Sequence, residues 1–153
     1  MPASPAFLRR TPTLAVLALL TSLPASLAQQ SPSAPLVTFE RYHGHRDVKA
    51  ALDRLAAAYP ELVRVASIGV DVRGFDLWMI EITNQKTGPG DEKPALLADG
   101  NMNADEPAAT EVLLELAQHT VTRYGVDPRI TRLLDTTTLY LVPRSRVMRG
   151  STP

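Results

Sequence analysis

Three carboxylates within eight residues mark the part of the chain best suited to chemistry. Asp99, Asp105 and Glu106 all lie in the polar segment 99–106 (DGNMNADE). Carboxylates bind metal ions and act as general acids or bases, so Glu106 or Asp105 could do either. A structural interpretation stays open beside this one. Asp105 could cap a helix, because acidic side chains accept backbone N–H groups and favour the positive end of the helix dipole.

The segments on either side of 99–106 predict how these side chains are positioned. Residues 94–98 (PALLA) form a short, continuously apolar strand, which we expect to be covered on both faces. Residues 107–124 form a long helix, and residues 136–142 form another strand. A strand–helix–strand crossover implies parallel pairing with a right-handed connection. Ligands in such sheets bind at the carboxyl ends of the strands. The buried stripe of the long helix is expected to comprise Ala109, Val112, Leu113, Leu116, Thr120 and Tyr124.

The earlier part of the chain completes an α/β pattern. Residues 47–59 predict a helix that Asp47 caps, followed by a hairpin of strands at 62–68 and 75–83. A short helix is expected at 127–135. The fold class is therefore α/β, with a mixed, mainly parallel sheet and flanking helices. The inward residues are expected to be Val48, Ala51, Leu52, Leu55 and Tyr59 in the first helix, and Ile130, Leu133 and Leu134 in the short one.

The N-terminus has the three-part pattern of a secretory signal peptide. Arg9 and Arg10 precede an apolar run at 13–20, and small residues at Ser26 and Ala28 suit cleavage after Ala28. A run of eight residues is too short to cross a bilayer, which needs about 20. We therefore expect residues 1–28 to direct secretion or export to the periplasm, with no membrane attachment after cleavage. The alternative is a short buried helix. Residues 29–41 are expected to form a linker.

Composition excludes several classes of function. Sixteen basic residues balance sixteen acidic ones, which gives no general reason to bind nucleic acid. The absence of cysteine excludes disulfides, cysteine-ligated zinc and a thiol nucleophile. His43 and His45 could chelate a metal weakly, but we expect both at the surface. His119 lies more than three helical turns after Glu106, so it is not expected to share a metal ion with Glu106.

Residues 42–144 resemble the N-terminal part of the carboxypeptidase A-like zinc metallocarboxypeptidases. No single element is specific to that family, but the ordered set over a hundred residues is. The elements are Tyr42, Tyr59-Pro60-Glu61-Leu62-Val63, Ser67-Ile68-Gly69 with Gly74, Lys93-Pro94, Asp99-Gly100-Asn101-Met102 with Glu106, Tyr124-Gly125, Leu133-Leu134-Asp135 and Tyr140-Leu141-Val142-Pro143-Arg144.

The resemblance implies hydrolysis of C-terminal residues from peptide or protein substrates. In that family a His-x-x-Glu pair and a later histidine bind zinc, which activates a water molecule, and a distant glutamate acts as general base. Here the matching positions are Asn103 and Glu106. Glu106 is the surviving zinc-ligand position. Asn103 replaces the first histidine and is expected not to bind zinc, because a neutral amide oxygen suits calcium better.

The resemblance also implies an incomplete catalytic set. The family's later histidine and general base lie beyond position 144, where residues 145–153 predict an unstructured basic tail. We therefore expect a truncated chain that is inactive alone and whose zinc site is doubtful. One alternative is a non-catalytic exported α/β protein that binds a peptide or a partner chain through its unfinished sheet. Another is a calcium site built from Asp99, Asn101 and Asn103 with Asp105 or Glu106.

Overall fold

The computed structural model describes residues 35–103 and 106–145. The predictions made for residues 1–34, for Asp105 and for residues 146–153 lie outside the described residues. The helices are α1 (His45–Ala58), α2 (Ala108–Arg123) and α3 (Pro128–Thr136). The strands are β1 (Val63–Val70), β2 (Asp76–Ile82), β3 (Ala95–Asp99) and β4 (Thr138–Val142). Two short 3-10 turns, Gln85–Thr87 and Gly90–Glu92, connect β2 to β3.

The first helix begins two residues earlier than its sequence predicts. Gly44, not Asp47, is the N-cap residue, so the capping prediction was wrong. The Asp47 carboxylate instead reaches back to accept the backbone N–H of Gly44 at 3.1 Å. This is the second half of a capping box, in which an acidic side chain at the third helical position bonds to the N-cap backbone. The predicted inward face is confirmed, since all five of its residues are buried.

The four strands form one mixed sheet in the order β1-β2-β4-β3. The hairpin β1–β2 and the pair β2–β4 are antiparallel, and β3 pairs with β4 in parallel, as the crossover predicts. The parallel part of the described sheet is therefore limited to β3 and β4. On one face, Ile82 lies opposite Leu139, which lies opposite Leu96 in turn. The helices cover this face, and its residues on β2 and β4 belong to the main hydrophobic core.

Strand β3 differs from its prediction. Its apolar sequence predicted a strand covered on both faces, but β3 ends the described sheet and four of its five residues are exposed. Leu96 keeps 53% and Leu97 keeps 66% of its surface in solvent. A continuous apolar run indicates a buried strand only when something lies on its outer side. Among the described residues, β3 has a hydrogen-bonded neighbour on one side alone.

The inward face of α2 is rotated from its prediction. Leu113 and Thr120 are buried as predicted, but Val112 and Leu116 are exposed. The buried face instead comprises Thr110, Leu113, Leu114, Ala117, Thr120 and Val121. In α3, Leu134 is buried, while Ile130 and Leu133 are only partly covered. Within residues 35–103 and 106–145, no helix combines the length and apolar character needed to cross a membrane.

Candidate functional site

The turn that follows β3 is held against the end of β4. Gly100 donates its N–H to the Val142 carbonyl at 2.9 Å, and its own carbonyl accepts the N–H and the hydroxyl of Ser145, each at 3.1 Å. A Cβ atom at Gly100 would lie 2.8 Å from the Pro143 carbonyl oxygen. Only glycine therefore allows this close approach. The next residue, Asn101, is buried with φ at 57°, a left-handed conformation that asparagine tolerates better than most residues.

This turn opens into a cleft of about 480 Å³ at the carboxyl end of β3. The position agrees with the expectation that a ligand site in an α/β sheet lies where parallel strands end. The Asn103 amide donates a hydrogen bond to Glu106 Oε1 at 3.3 Å, so the structure brings the two predicted ligand positions together. Both side chains are exposed. The cleft is lined by Asp99, Asn101, Met102, Asn103, Glu106 and Ala109.

A second polar cluster lies next to this region, and sequence analysis missed it. His43 Nδ1 lies 2.7 Å from Glu111 Oε2, and the His43 backbone N–H donates to Glu111 Oε1 at 2.7 Å. Arg144 donates from Nη1 to the His43 carbonyl at 2.8 Å. All three side chains are largely covered, with His43 9% and Arg144 6% exposed. The prediction that His43 lies at the surface was therefore wrong.

Burial and charge at this cluster also affect its neighbour His45. Burial lowers the pKa of His45, and the Arg144 charge lowers it further. The ring packs edge-on against Phe75, with the ring centroids 5.3 Å apart. Burial likewise lowers the pKa of Arg144, an effect that the Glu111 carboxylate opposes. His43, Glu111 and Arg144 are far apart in sequence and belong to no shared motif, so only the fold reveals the cluster.

Comparison with known sequences identifies the family. The sequence model described as zinc carboxypeptidase matches residues 48–145, which is more than half of the chain. The chain belongs to the zinc carboxypeptidase family. Human carboxypeptidase D is 29% identical over 118 residues, which cover 77% of this chain and 9% of that protein. Carboxypeptidase SOL1 of Arabidopsis thaliana is 32% identical over 116 residues, which cover 76% of this chain and 23% of that protein. The chain thus spans less than a quarter of these relatives.

Solved carboxypeptidase structures share the fold. Thrombin-activatable fibrinolysis inhibitor superposes with a TM-score of 0.64 at 20% identity, over 76% of this chain and 30% of that one. The carboxypeptidase A of Helicoverpa armigera gives 0.60 at 18% identity, over 71% of this chain and 25% of that one. These matches confirm the predicted α/β carboxypeptidase fold. They also show that the described sheet corresponds to a minor part of each neighbour.

Zinc carboxypeptidases depend on zinc, but the described cleft does not supply a zinc-binding set. No group of three or more histidine, cysteine or acidic side chains able to hold a metal ion occurs within residues 35–103 and 106–145. At the two family positions, Glu106 offers one carboxylate and Asn103 a neutral amide whose nitrogen faces that carboxylate. Zinc sites use three or four nitrogen, sulfur or carboxylate ligands. The residues described here therefore do not fit zinc, and we derive no catalytic step through it.

Proposed function

We propose that this chain supplies the N-terminal part of a secreted or periplasmic zinc carboxypeptidase domain, and that it does not itself hydrolyse C-terminal peptide bonds. The observation that carries the proposal is the rim of the cleft after β3. It has the position and the glutamate of the family site, but an asparagine at the place of the first zinc histidine. Relatives that extend three- to fourfold or more beyond the match support the view that the remaining catalytic groups belong to a longer polypeptide.

The activity test compares the purified chain with its E106Q variant. Both are incubated with N-blocked peptides that end in apolar, basic or acidic residues, with and without added zinc. We expect the two proteins to release the same background amount of C-terminal amino acid. Zinc-dependent release by the unmodified chain that exceeds the E106Q level would overturn the proposal. Because Glu106 is exposed, this substitution should leave the fold intact.

A second variant tests the assignment of Asn103 and Glu106 directly. The N103H substitution restores a His-x-x-Glu spacing, with two zinc donors on the same rim. We expect zinc affinity measured by calorimetry to rise at least tenfold in N103H, and to return to the original level in N103H combined with E106Q. Equal zinc affinity in N103H and the original chain would show that positions 103 and 106 do not face a common metal site.

Export is a separate part of the proposal. It predicts that a bacterial host which processes the signal releases a mature chain that begins at Gln29. Mass spectrometry of the periplasmic or secreted product measures this directly. Recovery of a cytoplasmic chain with residues 1–28 intact would contradict it.

The exposed edge of β3 favours a second candidate function. A sheet edge with free backbone groups can add an extended peptide as a further strand. The chain would then be an exported, non-catalytic protein that binds a peptide or a partner chain. Fluorescence anisotropy with a labelled, extended apolar peptide tests this, and saturable binding without cleavage is the result expected of it.

A further inference from the structure

The outer edge of β3 is the most exposed apolar backbone in the described part of the chain. The strand pairs with β4 along Ala95 to Asp99, and its other side has no hydrogen-bonded strand among the described residues. It contains no proline, glycine or bulge, and its first charged residue is Asp99. Natural proteins usually protect such edges with charges, prolines or bulges, because an open edge is a template for another strand.

Helix α2 adds apolar side chains above the same edge. One side of α2 faces the segment that leads into α1, through bonds from Glu111 to His43 and from Gln118 to Val37. Helix α1 packs on β1, at the far end of the sheet. At 100° per residue, Val112 and Leu116 lie on the opposite side of α2. They therefore face past β3, with 63% and 36% of their surfaces exposed.

The other edge of the sheet is protected differently. Strand β1 carries Arg64 and has a register irregularity between Ser67 and Val70. Gly69, within that irregularity, has φ at 144°. Irregularities of this kind bend a strand and interrupt the row of free backbone groups. Edge-to-edge pairing should therefore occur at β3 and not at β1.

We propose that a second copy of this chain pairs with the edge of β3. The two strands would run antiparallel about a two-fold axis through Leu97, with Ala95 opposite Asp99 of the other copy. This arrangement keeps both helical layers on the same face of a continuous eight-stranded sheet. The two α2 helices would then run antiparallel, each with Val112 and Leu116 directed toward the other across the junction.

The charges and the helix favour a second copy over an isolated peptide strand. The two Asp99 carboxylates would lie four residues apart along the joined strands, about 14 Å. That distance exceeds the Debye length of about 8 Å at physiological salt, so their repulsion is screened. A lone strand would cover the backbone edge but would bring no helix to cover Val112 and Leu116. A second copy supplies a matching pair of side chains, as a two-fold interface requires.

Cysteine cross-linking provides the sharpest test, because the chain has no native cysteine. Across an antiparallel pair, Cα atoms at opposing positions lie about 4.5–5.5 Å apart, within the range that a disulfide spans. We expect L97C to give at least five times more disulfide-linked dimer under mild oxidation than V70C, the matched control on the β1 edge. Both positions are exposed in the structure, so a difference in burial cannot produce this result.

Sedimentation equilibrium tests the same interface without cross-linking. The unmodified chain should form a dimer that dissociates on dilution, and L97K and V112K should each raise the dissociation constant at least tenfold. V70K should leave it unchanged. A monomer at 100 µM, open-ended oligomers, or equal effects of L97K and V70K would each overturn the proposal. A monomer that binds an added apolar peptide would also overturn it and would support the peptide-binding candidate instead.

Discussion

The E111Q substitution tests whether the buried cluster around Glu111 holds the two parts of the fold together. One carboxylate accepts both the backbone N–H and Nδ1 of His43, and its charge lies near Arg144. Arg144 follows β4, while His43 precedes α1. The cluster therefore links α2 to the start of α1 and to the end of the central strand β4.

The magnitude follows from what glutamine can replace. Its carbonyl oxygen can still accept the His43 backbone N–H, but its amide nitrogen cannot accept from the imidazole, and the negative charge near Arg144 is lost. A hydrogen bond to a charged group contributes about 1.5–3 kcal/mol. Removing one member of a fully buried ion pair costs about 3–5 kcal/mol. Because the Glu111 side chain is 16% exposed, we expect a loss of about 2–4 kcal/mol in the free energy of unfolding.

Urea unfolding followed by fluorescence measures this loss, since Trp78 is the only tryptophan and is partly buried. With a slope of about 1–3 kcal/mol/M, the E111Q midpoint should fall by about 1–2 M. The matched control is E115Q, an exposed glutamate one turn later in α2, which should shift the midpoint little. If E111Q and E115Q unfold within about 0.5 kcal/mol of each other, the cluster does not stabilise the fold as argued here.

Three further predictions concern other described residues. G100A should cost about 1–3 kcal/mol in thermal unfolding, because its Cβ would meet the Pro143 carbonyl at 2.8 Å, and an unchanged melting temperature would refute the close approach. Burial and the Asp135 hydrogen bond raise the pKa of Tyr124 to about 12, so Y124F should remove the last tyrosine to ionise in an alkaline absorbance titration. Burial lowers the pKa of His45 below 6.5, so stability should be fullest above pH 6.5 and fall as pH decreases through the folded-state pKa. H45Q should flatten this dependence between pH 7 and 5, and an unaltered slope would contradict it.

Sequence periodicity predicted the elements well and their outer surfaces less well. The face of α1 was correct because one layer of the sheet covers it, as a simple amphipathic pattern assumes. In α2, apolar residues occur on two adjacent sides, and periodicity cannot tell which of them meets the described core. Val112 and Leu116 were therefore assigned to the buried face, although the structure leaves them exposed. The same reason explains β3, whose apolar residues imply a neighbour that the described residues do not provide.

The candidate site shows the complementary limit of sequence reasoning. The cleft at the end of β3 was predictable, because strand, turn and helix follow one another in sequence and the ligands of α/β folds bind at such ends. The cluster of His43, Glu111 and Arg144 was not, because its members approach one another only after the sheet has formed. This cluster spans the described fold from the segment before α1 to the residue after β4. The two regions differ in the same way in what they can support. The cleft holds exposed side chains that match a family position but lack a zinc-binding set, while the cluster is buried and hydrogen-bonded. We therefore expect substitutions in the cleft to alter ligand binding with little effect on folding, and substitutions in the cluster to destabilise the fold first.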